Sequence, residues 1–294
     1  MDSGTNIPTS VDVLVSGSEG FIGRHLCHRL EAEGFSVFRV DLQLGHDLCD
    51  PSMLRQIPQF SVAVHLAART FIPDSLRDPE AFLQNNVRST LNLLEACRVR
   101  GARMIYPSTY LYGTPASLPI SEDHPVSLPH PYALSKYAAE SLCSAYAHAG
   151  QLSVMVFRPF NVYGPGQDTR FLIPSILSQW GSGRVVLQNP TPRRDYLYVD
   201  DMVGAYLSAV KKPFSGFSLI NIGSGHSYSV QEVASLMAAM LPGEGEISYS
   251  GAMRENEVPD TRADIRRAEE MLNWVPRIGL EEGLRLTIEH HLGI

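Results

Sequence analysis

Cysteine is scarce in this 294-residue sequence. The four present, Cys27, Cys49, Cys97 and Cys143, form no C-x-x-C pair and fall in expected helices or at their ends, so they read as reduced packing thiols and no metal site is expected. No apolar stretch approaches membrane-spanning length. Residues 1–10 are polar, with one acidic residue, and lack the basic start and apolar run of a secretory signal. These absences lead to the expectation of a cytoplasmic protein without a membrane partner. Positive charge is also in short supply: 24 Lys and Arg against 31 Asp and Glu leave a formal net charge of -7, which argues against a nucleic-acid partner. An anionic small molecule stays open, because a few arginines aimed into one cleft set the local potential whatever the global sign. Internal repeats and low-complexity tracts are absent as well.

What is present is an ordinary globular composition, 44% hydrophobic and 19% charged, in a chain long enough for one substantial α/β unit or two closely joined subdomains. Residues 11–16 form a short β-branched apolar run, followed by a glycine turn and an amphipathic segment at 21–33. That order is strand, turn, helix. It continues with expected strands at 36–41 and 61–67, a long helix at 79–98, a strand at 102–106, a helix at 132–148 and a strand at 152–157. Such alternation implies right-handed crossovers and a Rossmann-type, doubly wound parallel sheet. After Asn161 the texture changes, with proline and glycine in 163–166, a helix expected at 173–180 and a turn-rich stretch at 188–192; a substrate-binding part is placed there. A helix at 199–210 and a strand at 218–222 are expected to return to the sheet, with further helices at 229–240, 263–272 and 280–291.

The first motif with chemistry is Gly17-Ser18-Glu19-Gly20-Phe21-Ile22-Gly23, between the first strand and the first helix. Gly17 permits the tight turn, Gly20 lets backbone amides approach a pyrophosphate at the helix N-terminus, and Gly23 lets helix and strand pack closely. Asp41 closes the second strand, where a carboxylate accepts both hydroxyls of an adenosine ribose and repels a 2′-phosphate. NAD is therefore favoured over NADP, while Arg24 and Arg39 keep the alternative open. The second motif is Tyr132-Ala133-Leu134-Ser135-Lys136, whose tyrosine and lysine a helix places one turn apart on one face. A phenol with a pKa of about 10 is a poor base at neutral pH. A nearby ammonium and a positive nicotinamide are expected to lower that value and make Tyr132 a general acid/base.

With these motifs in this order, the chain resembles the extended short-chain dehydrogenase/reductases, a group that includes UDP-galactose 4-epimerase and sugar-nucleotide dehydratases and reductases. The resemblance runs nearly end to end. It also rests on Asp47-Leu48, His65 to Ala68, Asn86-Val87, Ser108 to Gly113, Arg158 to Asn161, Arg194 to Tyr196, Asn221 to Gly223 and Arg254 to Glu257. It implies an NAD-binding domain over 1–163, to which roughly 195–222 returns, and a smaller C-terminal substrate-binding domain over 164–294. It further implies a homodimer packed through the helices at 79–98 and 132–148, where Leu91, Leu94, Leu142 and Ala145 either meet a partner or face the sheet.

The implied cofactor contacts are Gly17, Gly20, Phe21, Ile22, Gly23, Asp41, Asp47, Leu48, Leu66, Ala67, Ala68, Asn86, Tyr132, Lys136 and Phe160. For His65, Ala67 and Asn86 a second reading stands beside it, that of core residues and a buried amide satisfied by backbone. Ser108, Tyr132 and Lys136 form the implied catalytic set. Pro107 stands where related proteins often have serine, which bears on the local geometry. Ser108, Thr109, Asn161, Leu172, Arg194, Arg254 and Glu257 are the implied substrate contacts, Arg194 and Arg254 gripping a diphosphate as two guanidinium forks. Any single arginine also reads as a solvated surface charge. Thr109 and Tyr110 occupy the positions of the Asp-Glu pair of the 4,6-dehydratases, so elimination of water is disfavoured. Thr261 replaces a frequent bulky tyrosine and leaves room for an N-acetyl group, and Phe171 replaces an asparagine usual in the epimerases.

The resulting expectation is an NAD-dependent nucleotide-sugar 4-epimerase of the UDP-hexose or UDP-N-acetylhexosamine type. One alternative is an NAD(P)H-dependent reductase of a nucleotide-linked 4-keto-6-deoxyhexose, which shares the catalytic set. Another is a catalytically silent dinucleotide-binding sensor.

Overall fold

The computed structural model describes residues 9–253 and 257–294. From the N-terminal side the elements are β1 (Val13–Ser16), α1 (Phe21–Ala32), β2 (Val37–Val40), β3 (Val62–His65), α2 (Ile72–Arg77), α3 (Pro79–Arg100), β4 (Arg103–Pro107), α4 (Pro131–His148) and β5 (Val154–Pro159). They are followed by β6 (Asn161–Tyr163), α5 (Leu172–Trp180), β7 (Arg184–Leu187), β8 (Arg193–Tyr198), α6 (Val199–Lys211), β9 (Phe217–Ile222), β10 (Ser227–Ser229), α7 (Val230–Met240), β11 (Glu246–Tyr249), α8 (Arg266–Leu272) and α9 (Leu280–Leu292). Two compact units share these elements, one built from residues up to 111, 128–158 and 206–220, the other from 112–127, 159–205 and 221 onward.

The first unit carries a six-stranded sheet in the order β2-β1-β3-β4-β5-β9. The pairs from β2 through β5 are parallel, as the βα alternation predicts. The strands β1 and β3 are buried at every position, the mark of parallel strands covered on both faces. Leu14, Ala63, Met104 and Val154 of the sheet share a core with Leu93, Leu94 and Cys97 of α3 and Ala139 and Cys143 of α4. Burial of each leucine, methionine or valine in this set contributes roughly 1.5–3 kcal/mol. α3 starts where the sequence supplies a cap: the Asp78 carboxylate accepts from the Ala81 amide at 3.0 Å, Pro79 follows, and Gly101 ends the helix in the left-handed region. On its surface Leu91 is 38% exposed, whereas Leu94 faces the core.

The second unit carries a three-stranded sheet, β10-β8-β6, and a parallel pair, β11-β7. Its organising group is the fully buried Asp195 of β8. The carboxylate accepts from the Ser224 amide (2.6 Å), the Ser224 hydroxyl (2.7 Å) and the amides of Gly225 and Ala263 (3.0 Å each). Burial nevertheless raises the carboxyl above its ordinary pKa.

Two expectations are corrected here. The helix expected from 263 starts at Arg266, because Ala263 is tied to Asp195 and bridged to Ile120. Cys49 lies half-buried in a turn, outside any helix, while Cys27, Cys97 and Cys143 are buried in helices as free thiols. The strands β6, β7, β8, β10 and β11 and the short α2 had no sequence signal. They are three to six residues long and partly polar, too short for a period to show.

Candidate active site

In the first unit β1 delivers the chain into the glycine loop. Gly17 has φ of 69°, and a Cβ there would lie 2.6 Å from the Ala67 nitrogen and 2.7 Å from the Leu66 carbonyl carbon. A Cβ at Gly23 would collide with the Gly17 carbonyl oxygen. Gly20 sits at the N-cap of α1, and no side chain caps that terminus. This is a turn of backbone packed directly against backbone, with the N-terminus of α1 left without a side-chain cap. Phe21 and Ile22, half-buried, open α1. Replacing Gly17 by alanine is expected to weaken NAD binding at least tenfold, since L-residues pay about 1–2 kcal/mol in that conformation and the obstructing atoms are backbone. Calorimetric titration of the protein with NAD measures it, and unchanged affinity would remove Gly17 from the site.

A buried polar chain stands behind this loop. Thr90 gives its hydroxyl proton to the Asn86 carbonyl (2.7 Å), so it accepts from His65 Nε2 (3.0 Å). Nδ1 is then left to accept from the Ser16 hydroxyl (2.6 Å), whose oxygen takes the Ala67 amide (3.3 Å). Burial depresses the His65 pKa to about 3, with the Lys136 charge adding to the effect, so the ring stays neutral. Asn86 is a satisfied amide: it accepts from the Arg69 amide (2.8 Å) and donates to the Arg69 carbonyl (3.0 Å) and to the Ser135 hydroxyl (2.9 Å). The Ser135 hydroxyl donates in turn to the Tyr132 carbonyl (2.8 Å), which ties α3 to the first turn of α4.

Asp41 follows β2 and accepts from the Glu19 amide (3.1 Å) and the Gln43 amide (2.9 Å). The two arginines that kept NADP open are both paired. Arg39 forms a forked bond to Glu31, with contacts of 2.9 and 3.0 Å from Nη2, and lies 3.6 Å from Glu19; Arg24 lies 3.7 Å from Glu19. Asp47 is exposed and accepts from the Cys49 amide, and Leu48 is buried in the core. Leu66, Ala67 and Ala68 are half-buried along the loop that meets Gly17.

Ser108 leaves β4 with its amide bound to the Phe157 carbonyl (2.7 Å), and its Oγ is buried with no protein partner among the described residues. Pro107 ends the strand, where its missing donor is tolerated. Tyr132 sits in the first turn of α4, stacked on His130 at 6.0 Å and edge-on to Phe82 at 6.3 Å. Burial raises its pKa, while a hydrogen bond from the Thr109 hydroxyl works the other way. The expected lowering is thus not a property of the protein alone. Burial also brings Lys136 down to about 7, so near neutrality its ammonium is only partly charged. Its Nζ lies 4.4 Å from the centroid of the Tyr106 ring. Neither Thr109 as a partner of the phenol nor Tyr106 was legible in sequence, because both contacts join segments more than 20 residues apart.

The second unit brings a further group together. Arg194 donates to the Arg193 and Val258 carbonyls (2.8 and 2.6 Å) and lies 3.7 Å from Glu257, which accepts from the Asn189 amide group at 3.1 Å. No sequence motif marks Asn189, whose contact with Glu257 spans 68 residues. Asn161 donates to the Asp195 carbonyl (3.3 Å), Phe160 is buried beside Tyr112, and Leu172 opens α5. Thr261 is buried with its hydroxyl unpartnered among the described residues. Arg254 lies outside the described residues.

A doubly wound sheet, a glycine loop and a Tyr-x-x-x-Lys helix define a dinucleotide-dependent enzyme class. Residues 13–223 match the NAD dependent epimerase/dehydratase family, and the chain belongs to it. The enzyme is therefore of the epimerase or oxidoreductase kind, and the family's cofactor is NAD. It is 34% identical to the GDP-6-deoxy-D-mannose reductase of Pseudomonas aeruginosa, over 94% of this chain and 95% of that one. It is 32% identical to the UDP-glucose 4-epimerase of Mycolicibacterium smegmatis, over 94% and 97%. Among solved structures, MoeE5 in complex with UDP-glucuronic acid and NAD superposes with a TM-score of 0.89 at 34% identity, covering 96% of this chain and 99% of that one. No helix among the described residues is long and apolar enough to cross a membrane.

Proposed function

We propose that the protein is an NAD-dependent nucleotide-sugar 4-epimerase. The observation that carries NAD as its cofactor is the charge arrangement beside the glycine loop. Asp41 is assigned to the adenosine ribose, and among the described residues the carboxylates of Glu31 and Glu19 engage Arg39 and Arg24, the two guanidiniums that would favour a 2′-phosphate. NAD, which the loop of Gly17, Gly20 and Gly23 together with Asp41 would hold, would supply reversible hydride-transfer chemistry when bound. The chain's own residues manage the proton. The Tyr132 phenol oxygen takes the proton of the C4 hydroxyl, Thr109 donates a hydrogen bond to that oxygen, and the buried Ser108 Oγ, without a partner among the described residues, bonds the sugar oxygen. Arg194 and Glu257 are assigned to the diphosphate and a ribose hydroxyl.

Thr109→Val removes the hydrogen bond that lowers the Tyr132 pKa. The phenol then titrates higher, and because the phenolate is the base, the acid limb of kcat is expected to move alkaline by up to about one pH unit. A pH–rate profile that superposes on the parent would exclude Thr109 from the role.

The proposal is tested by incubating purified protein with UDP-, dTDP- and GDP-hexoses without added cofactor and following the products by proton NMR. Appearance of one C4 epimer supports it and names the substrate. The reductase relative, matched over nearly its whole length, keeps a second reading in view. Turnover confined to a 4-keto-6-deoxy sugar with added reduced nicotinamide supports that reading instead. A homodimer through α3 and α4 belongs to the same proposal, supported by the exposed Leu91 and Leu134, and sedimentation equilibrium reads it.

A further inference from the structure

An alkylammonium that is 3% exposed has lost most of its hydration and needs a compensating potential. Among the described residues, the carboxylate whose charge acts on Lys136, that of Glu140, is already committed to a cation. On its own helix, Glu140 is held in a forked ion pair by Arg158, with contacts of 3.1 and 2.5 Å. Burial pushes the Cys143 thiol well up, so it remains protonated. From β3, His65 is neutral. What β4 presents is the face of Tyr106, a residue 1% exposed whose own phenol burial keeps protonated.

The Lys136 Nζ lies over that face at 4.4 Å, inside the range of a cation–π contact, and desolvation strengthens such contacts. The ring itself is fixed. Tyr106 pairs with Val156 in the β4–β5 register, and its hydroxyl donates to the Lys136 carbonyl at 3.4 Å. The same side chain thus meets the lysine's backbone through its hydroxyl and the lysine's ammonium through its ring.

We infer that Tyr106 is the positioning residue of Lys136, its π face seating the buried ammonium and holding the proton on it. The inference rests on the reading of Lys136 as a partner of Tyr132, but its test reads the amine directly and needs no substrate. The chain has only three lysines, Lys136, Lys211 and Lys212, so a lysine-labelled sample gives few side-chain signals. The experiment follows the 13Cε and 15Nζ resonances of the cofactor-free protein against pH, with Lys136→Met assigning the buried residue. Tyr106→Phe, which keeps the ring, is expected to titrate with the parent. Replacing that ring by phenylalanine bearing one, two and three fluorines, which drains the π face at nearly constant shape, is expected to lower the Lys136 midpoint stepwise. Tyr106→Leu is expected to lower it by about one pH unit. A fluorinated series that superposes on Tyr106→Phe overturns the inference, as does a Tyr106→Phe midpoint displaced as far as that of Tyr106→Leu. Should Tyr106→Leu fail to fold, the fluorinated series decides alone.

Discussion

Tyr132→Phe is expected to lower kcat by roughly 100- to 10,000-fold, the range for loss of a positioned general acid/base, with the fold unchanged. The change deletes one oxygen. It leaves the ring stacked on His130 and edge-on to Phe82, and it leaves the Tyr132 carbonyl bonded to Ser135, so α4 keeps its start. The expected loss is in kcat, with NAD affinity within a few-fold of the parent. Steady-state kinetics on the substrate found by NMR, alongside circular dichroism and NAD titration, separate these effects. A variant retaining a tenth or more of the parental kcat would mean that another group moves the proton, and the buried Ser108 hydroxyl, without a partner among the described residues, would be the first to replace.

The second large effect concerns stability. Glu140→Leu leaves the Arg158 guanidinium, 3% exposed, without its carboxylate in the interior of the first unit. Removing one member of such a pair costs about 3–5 kcal/mol, because the remaining charge stays desolvated. The double replacement Glu140→Leu with Arg158→Met is expected to recover most of that loss, since two apolar side chains of similar volume need no hydration. Urea unfolding of the single and double variants reads the difference. A single variant within 1 kcal/mol of the parent would show that solvent reaches the pair. Glu140 also lies one helical turn beyond Lys136 and raises its pKa, so the single variant is expected to drive the lysine further toward its neutral form.

The parallel sheet and its helices were legible because each strand is a short apolar run and each helix carries its own boundary residues, such as Asp78, Pro79 and Gly101 around α3. The glycine loop was legible for a related reason: the spacing of Gly17, Gly20 and Gly23 is local, and the collisions that require it involve backbone. The Tyr132 and Lys136 pair was legible as a helical repeat. What escaped was electrostatic and long-range. Sequence spacing placed a helpful ammonium near the phenol, yet burial opposes charge on both groups, so Lys136 sits at about 7 and Tyr132 above its ordinary value. Arg24 and Arg39 looked available to a phosphate until the structure paired them with Glu19 and Glu31. His65, read either as core or as site, is a neutral core histidine whose hydrogen bonds end on the Ser16 and Ala67 side of the glycine loop.

The order of the central sheet also bears on synthesis. The strand that flanks β5 on its outer side, β9, begins only at Phe217, and the first unit draws on the chain as far as residue 220. A ribosome therefore releases β1 through β5 well before their last neighbour exists. Until then β5, with the buried run from Val154 to Phe157, is an open edge that offers unpaired amides and carbonyls to any passing strand. For a nascent chain of this architecture, the interval between the emergence of residue 159 and that of residue 222 is the period in which chaperone cover matters most.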